Sequence, residues 1–324
     1  MKETIRHILS GTLFLGLLAG MLLGLNFLFR PKDNTEAAGF HDPKAHGYLA
    51  EPENSVDVLF LGDSEAFFAF IPMQLWQEHG ITSYVCSTGS QEIFQTEEYL
   101  STVFRNQSPK IVVLETNVLY RYYDRMDIVP NLLERALPLF RYHDRWKSLG
   151  AEDFSFRVRY TGIQRDKGYL FRTEINPVDP NGYMDPSQEL APIPSRNQGH
   201  LERMISFCRE RGAELVLVSS PSVENWCTSR HNSVTLLARE LEVAYIDLNL
   251  NQGDFFINWE LDTVDNGDHM NYSGARKVTA CLGQYLAQTG LFTDKRADPD
   301  YAAWNQALES FLREHPETES ATGN

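Results

Sequence analysis

The sequence predicts an α/β protein built on a mostly parallel sheet of five strands, with helices on both faces. Two observations predict this fold class: short apolar runs recur along the chain, and longer amphipathic stretches separate them. Strands that alternate with helices form right-handed βαβ units, and such units build a parallel sheet. The five predicted strands are Val56–Leu61, Thr82–Ser87, Lys110–Glu115, Glu214–Ser220 and Glu242–Leu248.

The amphipathic stretches predict the helices that cover this sheet. A segment that is apolar along one face and polar along the other is typical of a helix packed on a core. These stretches are Pro72–His79, Gln91–Asn106, Asn197–Arg211 and Val223–Leu241, and a further short helix is predicted at Tyr301–Arg313.

One interval in this alternation is too long for a simple βαβ unit. Roughly 95 residues separate the third and fourth runs, against about 30 for such a unit. The excess, from about residue 119 to residue 196, is rich in aromatic residues, arginine and proline. This composition predicts an inserted subdomain or cap over the carboxyl edge of the sheet, with a decorated surface loop as the alternative.

The N-terminal segment predicts a membrane anchor. Ile8–Phe29 is apolar and uncharged, and Lys2 and Arg6 precede it. At about 1.5 Å per residue, a helix of this length crosses a bilayer core of roughly 30 Å. Secretory signals usually have an apolar region of about 7–15 residues before a small-residue cleavage site, whereas this run is followed by Arg30 and Lys32. We therefore predict an uncleaved single-pass anchor in the cell membrane, with the acidic domain on the extracytoplasmic side.

These patterns predict four consecutive regions. Residues 1–30 form the anchor, and residues 31–54, which are polar and punctuated by proline and glycine, form a stalk or linker. Residues 55–295 form the main α/β domain, which includes the insertion. Residues 296–324 add a C-terminal helix and a polar tail.

Composition narrows the classes of function. The chain has 324 residues and is 42% hydrophobic and 23% charged, which is enough to bury a sizeable core. A formal net charge of −15 argues against nucleic acid as a partner, because phosphates would be repelled. The four cysteines are far apart and form no CxxC pair, so they predict no zinc site. We expect neither a metal nor a cofactor.

The first strand ends in Gly62-Asp63-Ser64. Serine and aspartate after a strand commonly cap the next helix, so the motif alone leaves two interpretations open. Ser64 is either a helix cap or a nucleophile on a sharp glycine turn. A serine hydroxyl becomes a good nucleophile when a base removes its proton and a third group orients that base.

His269 is the best candidate for this base. It lies in DTVDNGDHMNYSGA, an acidic loop that follows the last predicted strand and leads straight into the last helix of the α/β domain. Sites in parallel α/β sheets form at the carboxyl ends of the strands, and both Ser64 and His269 follow such ends. Two further strand ends carry hydrogen-bond donors suited to an oxyanion hole, namely Gly89 after the second strand and Asn117 after the third.

Together these four segments resemble the SGNH (GDSL-like) hydrolase superfamily, whose motif blocks carry a Ser in GDS, a Gly, an Asn and a late His. The matching residues are Ser64, Gly89, Asn117 and His269. The resemblance covers about residues 56–289, excluding the insertion, and implies a three-layer α/β/α (flavodoxin-like) fold. It implies that Ser64 is the nucleophile and His269 the base, supported by an Asp. It also implies an oxyanion hole formed by the backbone N–H groups of Ser64 and Gly89 and the amide of Asn117.

Two blocks depart from the family pattern. The third block is usually Gly-x-Asn-Asp and here reads Glu115-Thr116-Asn117-Val118, so only the Asn carries over. Asn266 stands where the last block usually has its Asp, three residues before His269. The adjacent Asp268 would have trouble bending its carboxylate to the Nδ1 atom of its own neighbour. We therefore predict that Asp265 supports the base, with Asp268 as the alternative.

A narrower resemblance fits the whole layout. Membrane-anchored SGNH proteins of bacterial cell envelopes, similar to the DltD and AlgJ/AlgX groups, carry an N-terminal span and often a last block like DHMNYSGA. This resemblance implies an extracytoplasmic serine esterase or O-acyltransferase. Its partners would be an acylated polysaccharide or teichoic-acid-like glycopolymer and a multispanning O-acyltransferase. The alternative is a non-catalytic envelope-binding or scaffold protein that keeps the fold and assists a membrane-bound O-acyltransferase.

Overall fold

The sheet confirms the predicted fold class. The structure is a computed structural model that describes residues 2–250 and 255–316. Five strands form one parallel sheet in the order β2-β1-β3-β4-β5. Each strand coincides with one predicted run: β1 Val58–Gly62, β2 Ser83–Ser87, β3 Ile111–Glu115, β4 Glu214–Ser219 and β5 Ala244–Asp247.

Ten α-helices lie in the described residues, and those of the predicted amphipathic stretches are among them. Several begin a few residues inside the predicted stretch, because loops take up the polar ends. The helices are α1 Lys2–Phe29, α2 Ser64–Ala69, α3 Pro72–His79, α4 Ile93–Val103, α5 Arg125–Ala136, α6 Pro138–Arg141, α7 Ser195–Glu210, α8 Thr228–Glu240, α9 Tyr272–Gln288 and α10 Ala302–Glu314.

The core forms because the central strands are apolar on both faces. All residues of β1, β2 and β3 are buried, as expected for a parallel sheet covered by helices on both sides. Side chains alternate across a strand, and Val58 and Phe60 of β1 therefore face the same layer. This layer also contains Trp76 of α3, Val278 of α9 and the buried face of α10.

The chain divides into two compact units. Unit 1 comprises Met1–Pro43 and Tyr123–Gly162, and unit 2 comprises Lys44–Tyr122 and Ile163–Asn324. Unit 1 contains α1, α5 and α6, and α1 is long and apolar enough to cross a membrane. Unit 2 contains the sheet and the remaining helices. The predicted insertion is therefore divided, since its first part belongs to unit 1 and its second part to unit 2.

The segment predicted as a stalk is folded in the structure. Asn34 and Tyr48 are fully buried. Within unit 1, Asn34 exchanges hydrogen bonds with the backbone of Gly162, at 2.8 and 3.3 Å. Within unit 2, the side chain of Lys44 donates to the carbonyl of Tyr169. The polar composition that predicts a linker here supplies side-chain hydrogen bonds to the neighbouring fold.

The C-terminal helix α10 belongs to the core of unit 2. Its apolar side chains Trp304, Ala307 and Phe311 are buried in the layer described above. The indole of Trp76 donates to Asn305 at 3.0 Å, which fixes α10 against α3. Part of the predicted polar tail, residues 317–324, lies outside the described residues.

Candidate active site

The strand order brings Ser64 and Gly89 to the same edge of the sheet. β1 lies directly beside β2, and Gly62 is opposite Ser87 in their parallel register. Ser64 and Gly89 each lie two residues beyond this pair, so they follow adjacent strand ends at the same level. Gly89 lies in an exposed turn. An incoming group at Ser64 can therefore approach the backbone of this turn.

Asn117 reaches this edge from the other side of β1. β3 is the second neighbour of β1, and Leu61 is opposite Leu114 in that register. Ser64 and Asn117 each lie three residues beyond this pair. Asn117 is part of a short 3₁₀ helix, Thr116–Leu119, and its side chain is buried. Gly89 and Asn117, the two candidate donors of the oxyanion hole, thus follow the strands on either side of the strand that carries Ser64.

The Gly62-Asp63-Ser64 turn caps helix α2 and also places Ser64 at the first position of that helix. Asp63 caps α2 by accepting a hydrogen bond from the N–H of Glu65 at 3.1 Å. Ser64 is the first residue of α2, where N–H groups have no partner inside the helix. Gly62 has a φ of +155°, and a Cβ there would lie 2.7 Å from the Cβ of Glu115. This close approach of β3 requires glycine.

His269 connects Ser64 to Asp265. The Oγ–H of Ser64 donates to Nε2 of His269 at 2.8 Å, and Nδ1 of His269 donates to Asp265 at 2.6 Å. The carboxylate of Asp265 accepts, so Nδ1 carries the proton and Nε2 is the atom that can take a proton from serine. The ring packs on Phe68, with centroids 4.5 Å apart, and only 12% of the His269 side chain is exposed.

The structure places Asp265, rather than Asp268, in the hydrogen bond to the base. The nearest carboxylate oxygen of Asp268 is 3.4 Å from Nδ1. The other oxygen of Asp268 accepts from the amide of Asn225. Burial raises the pKa of Asp268, against the opposing effect of His269. Asp265 instead holds His269 twice, because its second oxygen accepts from the backbone N–H of His269 at 2.7 Å.

A left-handed turn makes this double contact feasible. Asn266 has a φ of +59° and Gly267 a φ of +93°. The turn reverses the chain between Asp265 and His269, so the carboxylate reaches a ring four residues later. A Cβ on Gly267 would lie 2.7 Å from Cγ1 of Val178. Glycine is therefore needed for both the backbone conformation and the packing.

Two charged residues determine how the amide of Asn117 is oriented. Its Nδ2 donates to the carboxylate of Asp63 at 3.0 Å, and its Oδ1 accepts from Arg230 at 3.2 Å. A carboxylate only accepts and a guanidinium only donates, so the amide cannot flip. One hydrogen of Nδ2 is directed to Asp63, and the second is available for an oxyanion. Arg121 also pairs with Asp63, and Arg230 packs over the ring of Tyr120 at 4.3 Å.

Three carboxyl groups are buried beside the serine. Asp63, Glu65 and Glu115 are at most 2% exposed. Burial raises the pKa of Glu65 well above its usual range, and the neighbouring carboxylates add to the shift. Burial, followed by the charge of Asp63, also raises the pKa of Glu115. The side chain of Asn225 donates to Glu65 at 2.9 Å. Burial and mutual repulsion therefore drive two of the acids beside the serine, Glu65 and Glu115, toward the protonated form.

The described residues include a cluster of Glu65, Asp268 and His269 whose ligand atoms lie within 4.8 Å of one another. A metal would need the lone pair of a histidine nitrogen. Both ring nitrogens of His269 are engaged, one by Ser64 and one by Asp265. Glu65 accepts from Asn225, and its raised pKa weakens it as a ligand. The donor set fits proton transfer better than metal binding.

Sequence reasoning missed the two arginines of this site. Arg121 follows Asn117 by four residues, and Arg230 lies in the first turn of α8. Neither arginine lies in a recognisable sequence motif, so the sequence pattern does not mark them as site residues. One sequence feature indicates that cations are nearby. Asp63 and Glu65 lie next to the predicted nucleophile, and buried carboxylates need either cations or protons close to them.

Comparisons with known proteins find similarity at the level of structure. The matches include a GDSL-like lipase from Bacteroides thetaiotaomicron, at 12% identity and a TM-score of 0.39, over 76% of this chain and 96% of that chain. A psychrotrophic esterase from Pseudoalteromonas sp., in a structure inhibited by monoethylphosphonate, is 11% identical with a TM-score of 0.36, over 72% and 97%. An acetyl xylan esterase is 12% identical with a TM-score of 0.37, over 72% and 99%.

No family model matches the chain. No curated protein matches its sequence.

Proposed function

We propose that the chain is a serine esterase or O-acyltransferase that works through an acyl-enzyme on Ser64. The observation that carries this proposal is the position of His269, which bonds Ser64 at 2.8 Å through one nitrogen and Asp265 at 2.6 Å through the other. These are the distances at which a base can remove a proton and a carboxylate can orient the base.

The mechanism follows from the hydrogen bonds that connect Ser64, His269 and Asp265. Nε2 of His269 takes the proton of Ser64 as Oγ attacks the carbonyl carbon of an ester. The negative charge that develops on the carbonyl oxygen is held by the N–H groups of Ser64 and Gly89 and by Nδ2 of Asn117. Asp265 stabilises the imidazolium, which then protonates the departing alcohol. The acyl group remains bonded to Oγ.

A second hydroxyl resolves the acyl-enzyme. His269 removes a proton from water in hydrolysis, or from a sugar hydroxyl in transfer, and the oxyanion forms again in the same place. Return of the proton to Ser64 completes the cycle. The same side chains serve both reactions, so the acceptor alone decides between esterase and transferase.

The proposed substrate is an acyl ester of a cell-envelope glycopolymer, such as an acylated polysaccharide or a teichoic-acid-like polymer. The proposed location is the outer face of the cell membrane, with α1 as a single-pass anchor beside a multispanning O-acyltransferase. Support comes from the length and apolar surface of α1 and from the last motif block, Asp268–Ala275. The non-catalytic scaffold alternative gains no support from the site, because its hydrogen-bond relay is fully formed.

A fluorophosphonate probe and p-nitrophenyl acetate test the proposal directly. We expect the full-length protein to be labelled and to hydrolyse the ester, and we expect Ser64→Ala to lose labelling and about 10⁶-fold in kcat. Ser206→Ala is the matched control, since Ser206 is exposed on α7. Equal labelling of the wild type and Ser64→Ala would remove Ser64 from the mechanism.

Transfer is tested by adding acceptor sugars to the same assay. If the acyl-enzyme partitions to a sugar, the alcohol of the ester is released at the same rate or faster while less free acid appears. Acyl-sugar product then accounts for the difference. A constant yield of free acid at all acceptor concentrations would identify the enzyme as an esterase for those sugars.

A further inference from the structure

The C-terminal end of α1 is held by the inserted segment, residues 123–162. The N–H of Leu139 donates to the side chain of Asn26 at 3.0 Å. The guanidinium of Arg145 donates to the carbonyl of Phe29 at 2.6 Å. The last carbonyls of a helix have no partner inside the helix, so a cation at this end satisfies both a hydrogen bond and the helix dipole. The insertion thus completes the end of the apolar helix.

A second part of this segment, residues 155–160, also lies beside the last turn of α1. The ring of Phe156 packs on Phe27 with centroids 4.7 Å apart. The N–H of Arg159 donates to the carbonyl of Lys32 at 2.8 Å. Lys32 in turn covers the ring of Phe27 and donates to its carbonyl at 2.7 Å. These contacts fix the stretch within a few residues of Phe29, where α1 ends.

The insertion exposes large apolar side chains at this position. Phe156 is 90% exposed and Trp146 is 64% exposed. In α5, Met126, Val129 and Leu133 are exposed and follow the i, i+3, i+7 spacing of one helix face. Within residues 123–162, the exposed large apolar residues are Met126, Val129, Leu132, Leu133, Phe140, Trp146, Phe154, Phe156 and Val158.

Basic side chains lie next to two of these apolar residues. Phe156, Arg157, Val158 and Arg159 follow one another in the sequence, and all four are exposed. Residues 123–162 contain seven Lys or Arg and six Asp or Glu, whereas the whole chain contains 29 and 44. The insertion therefore lacks the negative charge that characterises the rest of the chain.

We propose that residues 123–162 form a collar that lies in the outer interface of the membrane, with its exposed apolar side chains among the lipids. This inference rests on the proposed role of α1 as a retained membrane span. It follows from continuity, because the collar is bonded to the end of the span and so lies at the depth of the lipid headgroups. Aromatic residues favour this depth, and arginine side chains extend toward the headgroups. An amphipathic helix such as α5 lies in the same plane.

The mixture of exposed apolar and basic residues on the collar favours contact with lipid over contact with another protein. Exposed apolar and basic residues alternate at residues 156–159, and the collar as a whole carries seven Lys or Arg against six Asp or Glu, which suits a boundary between acyl chains and phosphates. The collar would hold the anchored protein at a fixed depth.

Spin labelling of the full-length protein in vesicles of phosphatidylcholine and phosphatidylglycerol tests the collar. Single cysteines are introduced as Phe156→Cys, Leu132→Cys, Leu13→Cys and Leu291→Cys, in a background with Cys227→Ser and Cys281→Ala. The remaining thiols, Cys86 and Cys208, are buried, and burial raises their pKa values, for Cys208 to about 12. They therefore stay unreactive toward the label. Collision of each label with oxygen and with a water-soluble nickel complex is measured.

Oxygen concentrates in lipid and the nickel complex in water, so their ratio reports the environment of each label. We expect a high ratio at Leu13→Cys in α1, an intermediate to high ratio at Phe156→Cys and Leu132→Cys, and a low ratio at Leu291→Cys in unit 2. A high ratio at Leu13→Cys with low ratios at both collar sites would overturn the collar and leave the anchor intact. A low ratio at Leu13→Cys would overturn the anchor itself.

A third result would also overturn the proposal. If the collar labels collide with neither reagent, the surface is covered by protein, either a second copy or a membrane protein partner. The variants keep the unit 2 site intact, so ester hydrolysis by each of them reports that unit 2 has folded.

Discussion

Units 1 and 2 place their apolar side chains in opposite positions. Unit 2 buries them around the sheet, and all members of the main core cluster belong to it. Unit 1 exposes them, on α1 and on the collar alike. A soluble domain gains about 25 cal/mol for each Å² of apolar surface removed from water, and unit 1 forgoes most of this gain. The difference indicates two solvents, water around unit 2 and, in our proposal, lipid around unit 1.

The two units also bury charge differently. Unit 1 buries one matched pair, Arg145 with Asp153, at 2.6 Å. Unit 2 also buries a matched pair, Lys167 with Glu51. In addition it buries an excess of acid beside the serine, where Asp63 has Arg121 but Glu65 and Glu115 have raised pKa values. A matched pair serves structure, and an unmatched cluster is typical of a site that performs chemistry. The predictions below test this division.

The largest effect is expected in unit 2, from Asp265→Asn. The amide would not hold His269 in the tautomer that accepts the serine proton, so kcat should fall by about 10⁴. Asp268→Asn is the matched control, because Asp268 bonds Asn225 rather than Nδ1. Steady-state hydrolysis of p-nitrophenyl acetate measures both variants. A larger loss in Asp268→Asn than in Asp265→Asn would reverse the assignment of the supporting acid.

The next effect is expected in unit 1, from Asp153→Asn. Removing one member of a buried ion pair leaves the other charge uncompensated, which typically costs about 3–5 kcal/mol. We expect cleavage within residues 123–162 by a protease to accelerate in vesicles, since opening of the segment becomes easier. Asp144→Asn, at an exposed position nearby, should change little.

The same variant separates the two units functionally. Hydrolysis of a soluble ester by Asp153→Asn should equal that of the wild type, because the pair lies in unit 1 and the relay in unit 2. A parallel loss of esterase activity would show that the collar supports the catalytic site, and the division into a structural and a chemical unit would be wrong.

A smaller effect is expected from Arg230→Met. Asn117→Ala would remove an oxyanion donor and lower kcat by about 10²–10³. Arg230→Met leaves the amide in place, still bonded to Asp63, and removes the contact that fixes its oxygen together with the hydrogen bond from Arg230 to the carbonyl of Asn225. We expect a loss of about tenfold in kcat with little change in KM, as for one hydrogen bond to a charged group. Arg230→Lys should restore part of the rate, and a change in KM alone would assign Arg230 to substrate binding.

Much of the fold and the site was predictable because both follow from local patterns. The five apolar runs predict the strands, and the rule that parallel strands end at one edge places Ser64 near Gly89 and Asn117. His269 and Asp265 were predicted from an acidic loop with a glycine. These inferences need only spacing and the properties of individual residues.

The remainder depends on contacts that spacing does not encode. Arg230 reaches Asn117 across the fold, from a helix with no motif, and Arg145 reaches Phe29 from the insertion. The insertion was predicted as a cap over the sheet because sequence alone gives its position along the chain. Its hydrogen bonds to the end of α1 assign residues 123–162 to unit 1. Long-range polar pairs of this kind are specific in geometry but leave no periodic signal.

The smallest effect concerns the buried acids and appears as a dependence on pH. Glu65 has a raised pKa in the folded protein, so the folded state retains a proton that the unfolded chain releases above about pH 4.3. The free energy of unfolding therefore falls as pH rises from this value toward the raised pKa.

Glu65→Gln cannot ionise, and its carbonyl can still accept from Asn225. The variant should match the wild type at pH 4 and exceed its free energy of unfolding increasingly toward pH 8. Urea denaturation at both pH values measures this difference, with Glu202→Gln, at an exposed site on α7, as the control. A difference between Glu65→Gln and the wild type that is equal at both pH values would mean that Glu65 stays ionised in the fold, and the buried cluster would then be a matched set like the pair in unit 1.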